Sequence, residues 1–379
     1  MKAGKKMNKG LRQKALENSS RTDPAIHMDA AIEQLLLRHR KALALRDHEA
    51  NKGSYGRLTL LAGSHGMAGA AFLSGLAAFR CGIGMVKYLG PECNRVILQT
   101  LLPEAMYDAL PAAMGDKLPG SESCGGCECV PTFTESLAGK LSWGDYLIIG
   151  PGLSKEADAR ELVRALFDPV VKAALSGKKL IVLDADALNL MAEEGLDPGA
   201  LAVADTDGAG STDGRRPPVV ITPHVVEMSR LTGIPVKKIK EDPAASAGDY
   251  AGTHGIYVVL KDARTVVASP NVPGGETPDQ AAAAPYLIDS GCGAMAKAGS
   301  GDVLCGFIAG FTAILHGEVD DALALAVFAH GAAGCVAAER MGCHSILARD
   351  IAGAAGEALQ RSLDLLEPVR MYDLYEQKQ

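Results

Sequence analysis

Aromatic residues are scarce in this chain: 4% of its 379 residues are Phe, Trp or Tyr, with a single Trp. A core short of large rings must be filled by small and aliphatic side chains. The 47% apolar content supports a sizeable core, and 43 Gly with abundant Ala suit helices lying close against a sheet. Long apolar runs are lacking too. Val303 to Leu315 is too short, and Ala322 to Ala338 is interrupted by His330, for the roughly 20 residues that cross a bilayer, so no membrane role is expected. There is no excess of basic charge. A formal charge of −7 and a pI near 5.8 argue against a nucleic-acid binder. The basic N-terminus (Lys2, Lys5, Lys6, Lys9, Arg12, Lys14) is followed by no apolar segment and does not read as a secretory signal, which leaves the cytoplasm as the expected location.

Nine cysteines over this length do not make a disulfide framework. Cys124, Cys127 and Cys129 form a C-x-x-C-x-C group with no fourth ligand nearby at zinc-site spacing, and read equally as a reduced loop. Cys81, Cys292, Cys305 and Cys335 lie among small or apolar residues and read as packing. Neither a Walker A motif nor a G-x-G-x-x-G is present, so P-loop and dinucleotide-binding readings lose their signatures.

What is present is a series of α/β units. Residues 1–24 read as a disordered or tag-like tail, and helical spacing runs from Ile26 to Arg46. Asn51 to Gly56 is a turn signal. Apolar strands are expected at Leu58–Ala62, Met85–Leu89, Tyr146–Ile149, Leu180–Leu183, Val219–Ile221, Tyr257–Leu260 and Val266–Ala268. Helices are expected near 70–80, 92–101 and 156–175, after His224, and near 303–315, 320–340 and 348–366. Polar insertions are expected near 111–135, 197–217 and 269–285, with a tail at 368–379. One event repeats: a buried strand ends, and glycine or polar residues follow at 62–66, 149–152, 183–186, 221–224 and 260–265. In parallel α/β sheets ligands bind at the carboxyl ends of the strands. The expected architecture is a three-layer α/β/α sandwich with a mainly parallel central sheet, formed by one domain over residues 25–367.

The most suggestive stretch is Gly299-Ser300-Gly301-Asp302, followed by an apolar helical run. Glycines let backbone N–H groups approach an anion, and a helix starting here would add its N-terminal field. Asp302 would then stand beside a bound phosphate as a base. The competing reading is an aspartate N-cap on a buried helix.

Taken together, Lys52-Gly53-Ser54-Tyr55-Gly56, Ala62-Gly63-Ser64 with Gly69-Ala70, Gly150-Pro151-Gly152-Leu153, Asp184 to Asn189, Thr222-Pro223-His224 with Glu227, Lys261 to Thr265 and Met295 to Asp302 make the chain resemble the ADP/ATP-dependent NAD(P)H-hydrate dehydratases, within the ribokinase-like superfamily. The resemblance covers roughly residues 46–355. It implies a hydro-lyase of metabolite repair: the S-epimer of NADH or NADPH hydrate is phosphorylated on its ring hydroxyl by ADP or ATP with Mg²⁺, and phosphate then leaves to restore the ring. It further implies Asp302 as catalytic base, Ala70, Gly152, His224 and Asp302 as hydrate-binding positions, and Lys261, Asp262, Ala263, Arg264, Thr265, Gly299, Ser300 and Gly301 as nucleotide-binding positions. Asp184 or Glu227 is a candidate Mg²⁺ ligand through water. A homo-oligomer, a tetramer, is expected. The Gly-Ser-Gly-Asp segment alone would equally allow a ribokinase-like kinase of a thiazole, pyridoxal or sugar hydroxyl, and a non-catalytic nucleotide-binding regulator is a third reading. The chain departs from the family pattern at Cys292, where an Asn is expected, at Val225 after the strand-end His, and at Asn51, where a His often precedes Lys-Gly. About 45 residues precede the match, too few for the epimerase domain to which bacterial members are often fused.

Overall fold

The computed structural model of the chain describes residues 26–110, 131–202, 216–270 and 284–366. The Cys124/Cys127/Cys129 group, both tails and most of the three expected insertions lie outside the described residues.

The described strands are β1 (Arg57–Leu61), β2 (Met85–Gly90), β3 (Met106–Ala109), β4 (Tyr146–Ile149), β5 (Leu180–Leu183), β6 (Val219–Ile221), β7 (Tyr257–Leu260), β8 (Thr265–Ala268) and β9 (Tyr286–Ile288). They form one sheet in the order β3-β2-β1-β4-β5-β6-β7-β8-β9. Pairing is parallel from β3 to β7 and antiparallel for β7-β8 and β8-β9. A parallel sheet must be covered on both faces, so its strands are apolar throughout. Tyr146–Ile149 and Leu180–Leu183 are buried at every position.

Strand alternation divides the core in two. Leu58, Leu60, Ile148, Val182, Val220 and Val259 point to one face. There they meet α1 (Ala30–Ala44), α2 (Ala68–Arg80), α3 (Arg95–Leu101), α11 (Ser300–Ile314), α12 (Val319–Met341), α13 (Ala348–Gly353) and α14 (Ala355–Asp364). Leu61, Leu147, Ile149, Ile181, Leu183 and Ile221 point to the other. That face is covered by α4 (Phe133–Leu141), α5 (Ala157–Ala165), α6 (Pro169–Leu175), α7 (Asp186–Glu194), α8 (Val225–Thr232), α9 (Val236–Glu241) and α10 (Pro243–His254). This is the expected α/β/α sandwich.

Small residues set the helix spacing. A Cβ on Gly306 would press within 2.6 Å of the Ala77 methyl, so α11 lies against the Ala-rich side of α2. The expected helix over 156–175 is two helices, because Asp168 caps a new one and Pro169 occupies its first turn. The helix expected near 320–340 is α12, 23 residues long, and it runs through His330 without a break. By length and composition it could cross a membrane, but its apolar window is fully buried inside the fold. His39 and Asp321 (2.7 Å) tie α1 to α12 with Arg38, which donates to the same carboxylate oxygen at 2.8 Å. His39, Glu318 and Asp321 are the one group of three metal-capable side chains among the described residues whose ligand atoms all lie within 4.8 Å of one another, and the Arg38 guanidinium already pairs with Asp321.

Candidate active site

Five loops meet where β1, β4, β5, β6 and β7 end. Their geometry is fixed by glycines with positive φ and by one strained alanine. Gly150 has φ 126°, and any Cβ there would overlap the Asp184 carbonyl oxygen. Gly152 has φ 64°, and a Cβ would lie 2.9 Å from the Ala70 methyl and 3.0 Å from the Met67 carbonyl oxygen. The two glycines therefore press the β4 loop onto both the β5 turn and the start of α2. Ala70 and Gly152, expected as hydrate-binding positions, are neighbours. Ala185 follows β5 with φ 51° and ψ −117°, a conformation alanine rarely adopts. The turn is held in place by Asp186 Oδ2, which accepts from the Ser154 N–H at 2.8 Å.

The centre of the site is charged. Lys261 extends from β7, and its Nζ donates to Asp184 Oδ1 at 2.6 Å. Asp184 is 1% exposed, and its other oxygen accepts from the Cys305 thiol at 3.3 Å. Burial opposes the charge on Lys261, but Asp184, Cys305 and Glu227 outweigh it and hold its pKa above the ordinary lysine value. The family resemblance makes Lys261 a nucleotide-binding position and Asp184 a candidate Mg²⁺ ligand. The structure joins them first to each other. Cys305, expected as packing, is a hydrogen-bond donor to the same carboxylate.

His224 ends the β6 loop, where Lys261 N donates to the Pro223 carbonyl oxygen at 2.8 Å. Its side chain caps α8: Nδ1 accepts from Val226 N and Glu227 N, while the His224 N–H donates to Glu227 Oε2 at 2.8 Å. This reciprocal box makes His224 the N-cap of α8. The ring's other nitrogen is 3.4 Å from Glu227 Oε1, and half of the side chain is exposed toward the crevice. Burial, then the Lys261 charge, lowers the His224 pKa. Burial pushes Glu227 up to about 7, with Asp184 adding to the rise against the opposing pull of Lys261.

The anion loop closes the site. α11 begins at Ser300, with Gly299 in the left-handed region (φ 91°) at its N-cap and no side-chain cap. Asp302 lies in the first turn and is not the N-cap, so the capping reading of Asp302 is corrected: the backbone turn is made by Gly299, and the carboxylate is left available. A Cβ on Gly301 would lie 3.3 Å from Lys261 Nζ and 3.7 Å from Asp184 Oδ2, so the loop faces the ion pair directly. Burial raises the Asp302 pKa to about 6, with Asp184 and Asp186 adding to the rise and Lys261 opposing it. The loop is backed by His330 of α12. Its ring meets the Ser300 backbone and lies edge-on to Phe307 (5.4 Å), and its pKa is lowered to about 4 by burial.

Other expected residues sit at the rim. Asp262, Ala263 and Arg264 form the turn between β7 and β8, with Thr265 opening β8. Arg264 is 3.5 Å from Asp289, and Asp262 is 3.3 Å from Lys240. These are exposed pairs that leave the turn accessible.

A protein-family model for NAD(P)H-hydrate dehydratase matches residues 58–355. The chain is 35% identical over 315 residues to the bifunctional NAD(P)H-hydrate repair enzyme of Moorella thermoacetica, covering 82% of this chain and 51% of that protein. It therefore spans about half the length of the first curated relatives it matches. It is 31% identical to the ADP-dependent (S)-NAD(P)H-hydrate dehydratase of Bacillus subtilis, covering 82% of this chain and 92% of that one. Among solved structures it is similar to the ADP/ATP-dependent NAD(P)H-hydrate dehydratase of B. subtilis co-crystallised with ATP/Mg²⁺, with a TM-score of 0.60, 26% identity, and coverage of 86% of this chain and 96% of that one. A ribokinase-like protein of Enterococcus faecalis shares the fold, with a TM-score of 0.62 at 22% identity and coverage of 85% and 94%.

Proposed function

The chain belongs to the NAD(P)H-hydrate dehydratase family, and on that premise we propose that it uses ADP or ATP with Mg²⁺ to dehydrate the S-epimer of NADH or NADPH hydrate. The observation that carries the proposal is the position of Asp302. A partly buried carboxylate stands in the first turn of α11, beside the Gly299–Gly301 backbone and facing the Lys261–Asp184 pair.

Phosphoryl transfer needs positioning and charge stabilisation more than covalent chemistry. The N–H groups at the start of α11 point at the moving phosphoryl group, where the helix dipole adds to them. Asp302 orients the ring hydroxyl and accepts its proton as the oxygen bonds to phosphorus. A base with a pKa near 6 is better matched to neutral pH than an ordinary aspartate. The phosphate then leaves with the C–O bonding electrons, the adjacent ring carbon gives up a proton to solvent, and the electrons of that C–H bond restore the double bond. Ala70 and Gly152, with no side chain beyond a methyl, make room for the hydrated ring, and the half-exposed His224 side chain contributes a further contact to it. Lys261 and the exposed 262–265 turn meet the nucleotide phosphates, with Lys261 shared between them and Asp184.

The donor set fits Mg²⁺, which takes oxygen ligands and keeps several of its waters. Asp184, Asp186, Glu227 and Asp302 bring four carboxylates to one crevice. Protein donors already occupy Asp184, one oxygen of Asp186 and one of Glu227, so the ion would be held largely through water. When bound it neutralises phosphate charge. We further propose residues 25–367 as one catalytic domain, acting in the cytoplasm as a homotetramer, on the strength of the family resemblance.

The test is recovery of absorbance at 340 nm from NADH hydrate supplied with ADP or ATP. Recovery is expected. No recovery, together with phosphorylation of another small alcohol, would select a kinase of the same fold.

A further inference from the structure

One pair of nucleophilic side chains is not used by this chemistry. Cys292 lies in the segment that leads into the anion loop, and Cys335 lies on α12. The segment runs along the helix in a defined register. Ser290 Oγ donates to the Phe328 carbonyl oxygen at 2.9 Å. Gly291 rests on Gly331, where a Cβ would come within 3.4 Å of the Gly331 Cα. The Met295 side chain lies over Gly334. Residues 331 and 335 share one face of a helix, so Cys292 meets Cys335 one turn beyond Gly331. This register sets the two thiols side by side, and neither is in a disulfide.

The two sulfurs differ in the way a reactive pair requires. Cys292 is half-buried, while Cys335 is 1% exposed. The neighbouring Cys335 thiol lowers the Cys292 pKa. The N–H groups of Ala294 and Met295 act in the same direction, and the value settles at about 6 despite burial. Cys335, beside Cys292, is raised. A thiolate within reach of both solvent and a second thiol is the arrangement found in redox-active cysteines.

We propose that Cys292 and Cys335 are a reversible modification site, a dithiol that a peroxide or a small-molecule disulfide closes to an intramolecular disulfide. With hydrogen peroxide, the Cys292 sulfur attacks one oxygen, the O–O bond breaks, and the sulfur becomes a sulfenic acid with release of water. Cys335 then attacks that sulfur, the S–S bond forms, the S–O bond breaks, and a second water carries off the Cys335 proton. The two thiols are oxidised by two electrons and the peroxide is reduced by two. With a small-molecule disulfide, the Cys292 thiolate forms a mixed disulfide and expels one thiolate. Cys335 then displaces the second thiol. Bond formation requires the sulfurs to close to about 2.05 Å. Because α12 is buried, most of that movement falls on the segment leading into Gly299.

The experiment is peptide mapping by mass spectrometry of the whole protein after mild hydrogen peroxide, and separately after oxidised glutathione, with and without dithiothreitol. The expected product is a linked pair of peptides holding Cys292 and Cys335. It should have lost two hydrogens, disappear with dithiothreitol, and be absent from Cys292→Ser. The proposal is overturned if Cys292 accumulates as a stable glutathione adduct or as sulfinic acid with no link. It is equally overturned if Cys292 does not react, or if the links formed join Cys343 or other cysteines instead. The wild-type map decides this without any variant. Cys292→Ser changes a half-buried position, and its fold is checked by circular dichroism.

Discussion

The two edges of the sheet carry equally distinctive sequence patterns and do opposite things. At the carboxyl edge, Gly150, Gly152, Asp184, His224, Lys261 and Gly299–Asp302 converge on a charged crevice. At the amino edge, Lys52-Gly53-Ser54-Tyr55-Gly56 matches the same family and forms a short 3₁₀ turn before β1. There the glycines serve packing. A Cβ on Gly56 would strike the Tyr146 ring, and Gly84 lies so close under the Lys52 carbonyl that no side chain fits. Asn51, which departs from the family pattern, caps the turn by accepting from Gly53 N at 2.8 Å. A motif match alone therefore does not locate chemistry. What separates the edges is the kind of charge each buries: at one the Asp302 and Glu227 carboxylates are displaced upward in an open crevice, and at the other Arg57 pairs with Asp145 and the buried Lys178 donates to the Ser142 and Gly144 carbonyl oxygens.

The largest effect that would break this comparison is expected at Asp302. Asp302→Asn keeps the shape of the side chain and removes the proton acceptor. Turnover should fall by about 10²–10⁴-fold while nucleotide binding, measured by calorimetry, is retained. Near-normal turnover would remove Asp302 from the base role. The variant should also be more stable than wild type above pH 6. Wild-type Asp302 has a folded pKa above its unfolded value, so its neutral form favours folding at low pH, and stability is lost as pH rises from about 4 to about 6. A neutral Asn escapes that loss, which is at most about 3 kcal/mol. For the same reason wild-type turnover should rise with pH through about 6 and then level off.

The next effect is at Lys261. Lys261→Ala leaves Asp184, 1% exposed, without its cation. Removing one partner of a buried pair costs about 3–5 kcal/mol, so Tm should fall sharply. Nucleotide affinity should weaken more than hydrate affinity, because the lost cation faces Gly301. Adding Asp184→Asn should restore much of the stability and none of the nucleotide binding. Equal losses for the two ligands in calorimetry would contradict the assignment of Lys261 to phosphate.

Much of the carboxyl edge was legible in the sequence because parallel central strands are apolar at every position. Tyr146–Ile149 and Leu180–Leu183 match the structure to the residue. The edges of the sheet were not legible. Met106–Ala109 and Tyr286–Ile288 pair on one side only and are three or four residues long; the first includes the charged Asp108, and the second leaves Leu287 exposed. Residues 236–241 and 243–254 are helices in the structure, but the second is made largely of Ala and Gly, with weak periodicity. Individual site residues were readable as strand-end groups, and their pairing was not. Asp184 and Lys261 are 77 positions apart, and only the order β5-β6-β7 brings them together. Asp302 read as a candidate cap because Asp before an apolar run usually is one. The left-handed Gly299 displaced it into the first turn.

The smallest effect tests the amino edge, and there a result of zero on catalysis is the informative one. Gly84 N donates to the Tyr55 carbonyl oxygen at 3.1 Å, and Met85 N donates to the Gly56 carbonyl oxygen at 3.2 Å, so the 52–56 turn is sewn to the start of β2. In Gly84→Ala the new methyl would collide with backbone, the Lys52 carbonyl, which cannot swing away as a flexible side chain would. The turn must shift, and overpacking of this kind costs about 1–3 kcal/mol. Tm should drop accordingly. The KM for nucleotide, the KM for hydrate and kcat should all stay at wild-type values below the melting transition, because the displaced turn lies at the far ends of strands whose carboxyl edge holds the site. A loss of kcat or of nucleotide affinity in protein that is still folded would show that the amino-edge motif reaches the chemistry, and the two edges would no longer be separated by function.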